Sequence, residues 1–489
     1  MGRAQQRLLI SLVACLVTFL LMTIFFRRSD PNGTSSIFSF FHREPRPTYK
    51  SPPKHLPPPI KDNFPLLAET LSPPPIPAWN VPKKDVYTEY DLPTAPPLLV
   101  GFSRSWPLLL QTVVSYITAG WPANQIFVVE NTGTQQANAR GQLTLQNPFY
   151  LNHTVLKALG VNIVQTPTLL SFAQLQNFFL SLTYTHNWPY YFWSHMDVLA
   201  LSYEDGMGGI TPNAKDKGYK SLYTLALETL KKARDDDKRW GTRFFAYDHL
   251  TLVNPAAYED VGGWDTLIPY YMTDCDMHSR LTMAEWSLND ARAGIIVDVS
   301  TTLTDLAALY RLDGVAVGFT DPNPPTPKKH FWDKAKRDDG PLSNATTTDE
   351  ASESHLRLRD ADLGRLPPSA MVAKSERARL YRPDPRRRDD NNDDLERWRA
   401  ILRTSDAMFH HKNDDKQRNT WQLGQRGGQG EPFYYDALGL DVGINLATDM
   451  GREVYRLKWG HKDCRLIEGA GLKAKDQWKV KYDGFLGIF

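Results

Sequence analysis

Cysteine is nearly missing from this chain: three residues in 489, Cys15, Cys275 and Cys464. No zinc-finger spacing can be assembled from so few. Charge of one sign is missing too, because 57 Lys and Arg against 55 Asp and Glu leave a formal net charge of +2. With no basic-aromatic stripe either, the composition argues against a nucleic-acid partner. No internal repeat is present. Long hydrophobic runs are absent with one exception, and that exception decides the compartment.

Leu8 to Phe26 is an unbroken stretch of apolar and small residues. As a helix rising ~1.5 Å per residue it spans nearly the ~30 Å of a bilayer's hydrocarbon core. A cleaved signal peptide would have a shorter apolar region followed by small residues, whereas Phe25-Phe26-Arg27-Arg28 offers no such site. The expectation is an uncleaved anchor. Arg3 and Arg7 before the span balance Arg27 and Arg28 after it, so charge does not orient it. Three N-glycosylation sequons, beginning at Asn32, Asn152 and Asn344, all lie after the span and are usable only in the secretory lumen. The expected topology is single-pass type II in the Golgi or endoplasmic reticulum membrane, with a cytoplasmic tail over 1–7 and a lumenal body. That leaves Cys275 and Cys464 as the two lumenal thiols, expected to be bonded or at least adjacent.

Proline divides the remainder of the chain. Residues 27–93 carry runs such as Pro57-Pro-Pro59 and Pro73-Pro-Pro75-Ile-Pro77, which favour an extended spacer. From there the pattern becomes compact. Leu98–Phe102 reads as a strand, Trp106–Thr118 as a helix, Gln125–Glu130 and Val161–Val164 as strands, and Phe172–Tyr184 as a helix. Strands alternating with helices predict an α/β fold with a mostly parallel sheet, whose ligands lie beyond the carboxyl ends of the strands. The catalytic body is expected over 94–321 and 429–489. It is interrupted by a proline-opened, charge-rich insertion over 322–428, read as largely disordered with a short helix at Leu395–Leu402. Val454–His461 reads as an apolar, strand-like return.

Two stretches carry chemistry. Tyr190-Tyr-Phe-Trp-Ser-His195-Met-Asp197 is an apolar strand ending in an imidazole and a carboxylate, suited to a cation and its phosphate cargo. Gly262-Gly-Trp-Asp265 leads through an aromatic segment to Asp274-Cys-Asp276 and Arg280, a second carboxylate cluster able to supply a base. Together they point to sugar transfer from a nucleotide donor. Read as structure alone, Asp197 is a strand-end turn, Asp276 a helix cap for Asp276–Leu281, and the glycine pair a plain turn.

The order of strands, helices and polar tips resembles the GT-A fold of nucleotide-sugar glycosyltransferases. Gly262 to Leu281 is similar to inverting family-two enzymes at Gly262, Gly263, Trp264, Asp265, Asp274, Asp276 and Arg280, with Thr273 where those enzymes carry Glu. The resemblance implies Asp197 as the last ligand of a metal-binding Asp-x-Asp motif for Mn2+ or Mg2+, with His195 in the first position. It implies Asp274 as the catalytic base beside Asp276, Ser103, Arg104, Glu130 and Asn131 at the nucleotide, and Gly262, Gly263, Trp264, Asp265 and Asp248 at the sugar or acceptor. It implies His461 as a distal metal ligand. Asp274-Cys-Asp276 is itself a literal Asp-x-Asp and a rival metal site. The expected partners are a nucleotide-diphosphate sugar and a glycan or glycoconjugate acceptor. The alternatives are a catalytically silent binding or scaffold protein, kept open by His195 and Thr273, and a metal-dependent phosphoesterase, which would need more clustered His and Asp ligands.

Overall fold

The computed structural model describes residues 3–28, 47–49, 51, 59–321, 393–413, 427–428, 430–432 and 437–481. Asn32, Asn344, part of the expected spacer and most of the expected insertion lie outside the described residues. The chain divides into a unit of residues 1–56 and a unit of residues 57–489.

In the first unit Arg3–Arg28 is a single helix covering the expected 8–26 span. Its apolar side chains from Leu12 to Ile24 are exposed. Among the described residues no helix is long and apolar enough to cross a membrane. Membrane attachment is therefore an expectation carried by the sequence.

The second unit is built on a seven-stranded, mainly parallel sheet flanked by helices. Its strands are β1 (Leu98–Phe102), β2 (Ile126–Glu130), β3 (Asn162–Gln165), β4 (Tyr191–Ser194), β6 (Trp240–Phe245), β7 (Leu250–Val253) and β8 (Ser287–Ala291), in the order β3-β2-β1-β4-β7-β6-β8. β1 to β4 run parallel, and β7 reverses against both β4 and β6. A small antiparallel pair, β5 (Val198–Leu201) and β9 (Ile295–Asp298), sits beside the end of β4.

Burial on both faces explains why β1 and β4 read as apolar runs rather than alternating ones. The helix Trp106–Thr118 is buried along its whole length. The helix Phe172–His186 closes on the sheet so tightly that a Cβ at Gly101 would lie 2.6 Å from Leu175 Cδ2. A capping box between Ser171 and Gln174 starts that helix, and Asn187 in the left-handed region (φ 53°) ends it.

Three organisational expectations are corrected. Residues 59–93 do not act as a spacer, since Phe64, Leu67, Val86 and Leu92 lie in the main core and Asn80 is fully enclosed. Within 322–428 the short helix extends to Asp393–Asn413, and Trp398, Ile401, Leu402 and Met408 are buried in that same core. Its acidic first turn and basic last turn complement the helix dipole. Val454–His461 is not strand-like: the helix Ala437–Trp459 runs through it, because Val454, Tyr455 and Trp459 recur at helical rather than alternating spacing.

Candidate active site

The site is organised by the β6–β7 hairpin. Its turn holds Ala246 (φ 55°) and Tyr247 (φ 61°) in the left-handed region, a strained arrangement for side-chain-bearing residues and one that collects at functional sites. The turn presents Tyr247, Asp248 and His249. Pairing of β7 with β4 brings this tip against the end of β4, where the His195 amide donates to the His249 carbonyl at 3.1 Å. The buried helix Trp106–Thr118 fixes the next segment, since the Thr112 hydroxyl donates to the Met196 carbonyl at 2.7 Å. Asp197 is thereby held between His195 and β5.

His195 is the electrostatic centre. Its Nε2 lies 3.5 Å from Asp248 Oδ1 and its Nδ1 3.8 Å from Asp197 Oδ1. The ring stacks on Trp193 and meets His249 edge-on. Burial alone would lower its pKa, but Asp248, with Asp197 and Asp298 behind it, raises it from 6.5 to about 9. Burial likewise opposes ionisation of Asp248, yet His195 pulls that carboxyl down to about 2. His195 is therefore an imidazolium at neutral pH.

A raised folded-state pKa means this contribution to stability is complete below the unfolded value of 6.5 and lost as pH climbs through about 9. With the ring 29% exposed, solvent screening reduces it to on the order of 2 kcal/mol. The stability gap between the native chain and His195→Gln, read from urea midpoints, should be widest near pH 6 and close by about pH 10. A gap that widens with pH would contradict the assignment.

Asp274 sits half-buried in the first turn of the helix Thr273–Met283, and the Tyr247 hydroxyl donates to its Oδ2 at 3.0 Å. The 195–197 tip and Asp274 thus belong to one constellation, joined through Tyr247, Asp248 and His249. His278, one turn further on, faces both Asp274 and Asp248; burial lowers its pKa despite those two carboxylates.

Asp276 is placed differently. It is fully buried, taking Arg280 Nε at 2.8 Å, Lys458 Nζ at 2.7 Å and the Trp459 indole at 2.9 Å. Asp276 therefore faces the C-terminal helix while Asp274 faces Tyr247, so the literal Asp-x-Asp does not present two carboxylates to one ion. Cys275 between them is bonded to Cys464, with Cα atoms 5.1 Å apart.

The remaining expected residues fall into two further groups. Gly262 and Gly263 turn the chain at φ 84° and 73°, and Arg280 binds the Gly263 carbonyl at 2.8 Å. Trp264 is buried with its backbone clamped by Asn177, and Asp265 is bound by Lys458 at 2.7 Å. This segment is a structural knot around Asp276. At the ends of β1 and β2, Glu130 is fully buried and binds His153, Gln165 and Asn138. Burial pushes its pKa up, but those three partners outweigh it and keep the carboxyl ionised. Asn131 bridges Ser103 and Leu170, and Arg104 is buried beside them.

Two expected residues are engaged elsewhere. Asn152 caps the helix His153–Ala158, accepting from Val155, and its amide donates to Tyr150. His461 closes a local turn with Asp463 (3.2 Å), and no contact joins it to His195 or Asp197 among the described residues.

Asp298, His249, His278 and Lys412 were not anticipated. Asp298 carries the same signal that revealed Asp197, an apolar strand, Ile295-Ile-Val, ending in Asp. His249 adjoins Asp248. Nothing local distinguishes Lys412, which reaches the site from the helix Asp393–Asn413 and binds Asp197 Oδ2 at 2.8 Å and Asp298 Oδ1 at 2.5 Å.

The resemblance implies Mn2+ or Mg2+ at Asp197, and the donor set does not fit it. Oδ2 of Asp197 is occupied by an ammonium, its Oδ1 faces an imidazolium, and His461 is turned to Asp463. Among the described residues no group of three or more His, Cys, Asp or Glu converges to hold a metal ion.

These groups gather beyond the strands of a mainly parallel sheet, in a mixed α/β protein. No protein-family model matches the chain, and no curated protein matches it. Among solved structures it is similar to the mannosyltransferase PcManGT from Pyrobaculum calidifontis, in complex with GDP-Man and Mn2+. That likeness is 14% identical over 75% of this chain and 90% of the other, at a TM-score of 0.26, and carries no argument about this chain's chemistry.

Proposed function

We propose that this chain is a glycosyltransferase that moves a sugar from a nucleotide-diphosphate donor to a hydroxyl of a glycan or glycoconjugate, with inversion. The observation that carries the reading is the hairpin tip, where adjacent residues serve two reacting ends. Tyr247 orients Asp274, and Asp248 pairs with His195. In the proposed step Asp274 removes the acceptor hydroxyl proton as that oxygen attacks the anomeric carbon. The bond from that carbon to the donor phosphate oxygen breaks, and the nucleoside diphosphate leaves with the electron pair. His195, cationic and 29% exposed, meets the charge that develops on the leaving group. Glu130, Asn131, Ser103 and Arg104, beyond β1 and β2, are the proposed nucleotide side, for a uridine or guanosine diphosphate sugar.

The proposed setting is the lumen of the Golgi or endoplasmic reticulum, with Leu8–Phe26 as the anchor; this rests on the apolar run and the sequons after it.

The test is to incubate the full chain with a panel of nucleotide sugars and to measure nucleoside diphosphate release with and without acceptor glycans. Acceptor-stimulated release from at least one donor is expected. Donor binding with no release from any of them would turn the reading to a binding protein.

A further inference from the structure

Lys412 projects from the last turn of a helix that cannot easily withdraw it. Trp398, Ile401, Leu402 and Met408 bury the helix in the main core, and Arg399 ties it to Asp205 at 2.8 Å. The ammonium is enclosed with its residue 3% exposed, and it meets Asp197 Oδ2 at 2.8 Å, Asp298 Oδ1 at 2.5 Å and the Val299 carbonyl at 3.3 Å. Three N–H donors have three oxygen acceptors, so the group is saturated. Buried lysines are rare unless paired, and this one is paired twice. On the other side of Asp197 stands the His195 ring, 3.8 Å from Oδ1. The ammonium on one side and the imidazole ring on the other therefore enclose Asp197 where a divalent ion would have to sit. A divalent ion needs about six oxygen ligands, and the oxygens that Asp197 and Asp298 turn toward one another are already taken by the ammonium.

We propose that Lys412 is this protein's resident cation, filling the position between Asp197 and Asp298, and that the pair becomes a divalent-metal site only when Lys412 is removed. The inference rests on the glycosyl-transfer reading only for its consequence there: with the carboxylate pair neutralised by Lys412, His195 is the group left to meet the donor diphosphate. Occupancy of the carboxylate pair is independent of that reading.

The experiment titrates Mn2+ alone into the metal-free full chain and tracks free Mn2+ by electron paramagnetic resonance. Native protein and Lys412→Arg should bind no Mn2+ at this pair. Lys412→Met should gain one site at least roughly tenfold tighter than anything in the native chain, lost again when Asp298→Asn is added. If Lys412→Met folds poorly, because two buried carboxylates are left facing each other, added Mn2+ should restore its thermal transition. Stoichiometric Mn2+ binding by the native chain that disappears in Asp197→Asn overturns the proposal, whatever the variants do. A second arm measures nucleoside diphosphate release in EDTA. Full activity supports the proposal, and loss of activity that Mn2+ restores overturns it. Release from no donor under any condition would count against the glycosyl-transfer reading, while the Mn2+ titration would still decide the cation.

Discussion

Replacing Asp276 by alanine is expected to destabilise the second unit by about 3 kcal/mol, the low end of the range for breaking a buried ion pair. The carboxylate is fully enclosed and receives Arg280, Lys458 and the Trp459 indole. Its removal leaves two buried cations short of a counter-charge. The loss stays at the low end because Arg280 keeps the carbonyls of Val261 and Gly263, and Lys458 keeps Asp265. Urea unfolding of the full chain reads the effect as a lower midpoint with an unchanged slope. At temperatures where the variant is still folded, turnover should stay within a few-fold of native. An unchanged midpoint together with lost turnover would return Asp276 to the chemistry.

Asp274→Asn should do the reverse. Its carboxylate is half-buried and the hydroxyl of Tyr247 is its hydrogen-bonding partner, so the amide can take its place with little effect on stability. What the amide cannot do is accept a proton, and loss of a general base lowers kcat by roughly 10²–10⁴-fold. KM for the donor should change little, because the donor's charge is met at His195. Tyr247→Phe should fall between the two, since it leaves the base in place but less well oriented. Native turnover by Asp274→Asn would remove the base from the proposal and leave the site without a reaction.

How much was legible depended on whether the signal was local. β1 and the helices starting at Trp106 and Phe172 were readable from apolar runs and spacing alone. Within the insertion a helix was legible at Leu395–Leu402 but not its extent to Asp393–Asn413, because composition over a long window outweighs pattern over a short one. Trp398, Ile401, Leu402, Ser405 and Met408 recur at helical spacing inside a charge-rich stretch, and burial tracks the spacing. The packing of residues 59–93 was not legible for a related reason. Proline forbids regular ladders but does not forbid packing, and Phe64 and Leu67 fill the core from the cap and body of a short helix, Pro65–Thr70, that itself starts on a proline. Val454–His461 is apolar enough for a strand, and only its periodicity distinguishes the helix.

The sequence by itself determined which groups could react. The polar tip at His195–Asp197, the acids at 274 and 276, the glycine turn before them and the two cysteines are all local features. Strand ends and helix starts expose polar side chains wherever the apolar run stops. Only the tertiary structure decided which groups meet. Asp274 and Asp276, two residues apart, face different partners because successive helical positions are rotated by about 100°. Asp197 and Lys412 share an ion pair although they are 215 residues apart in the chain. No local rule reports such a pairing, because the cost of burying a lysine is met by carboxylates that only the folded core brings within reach.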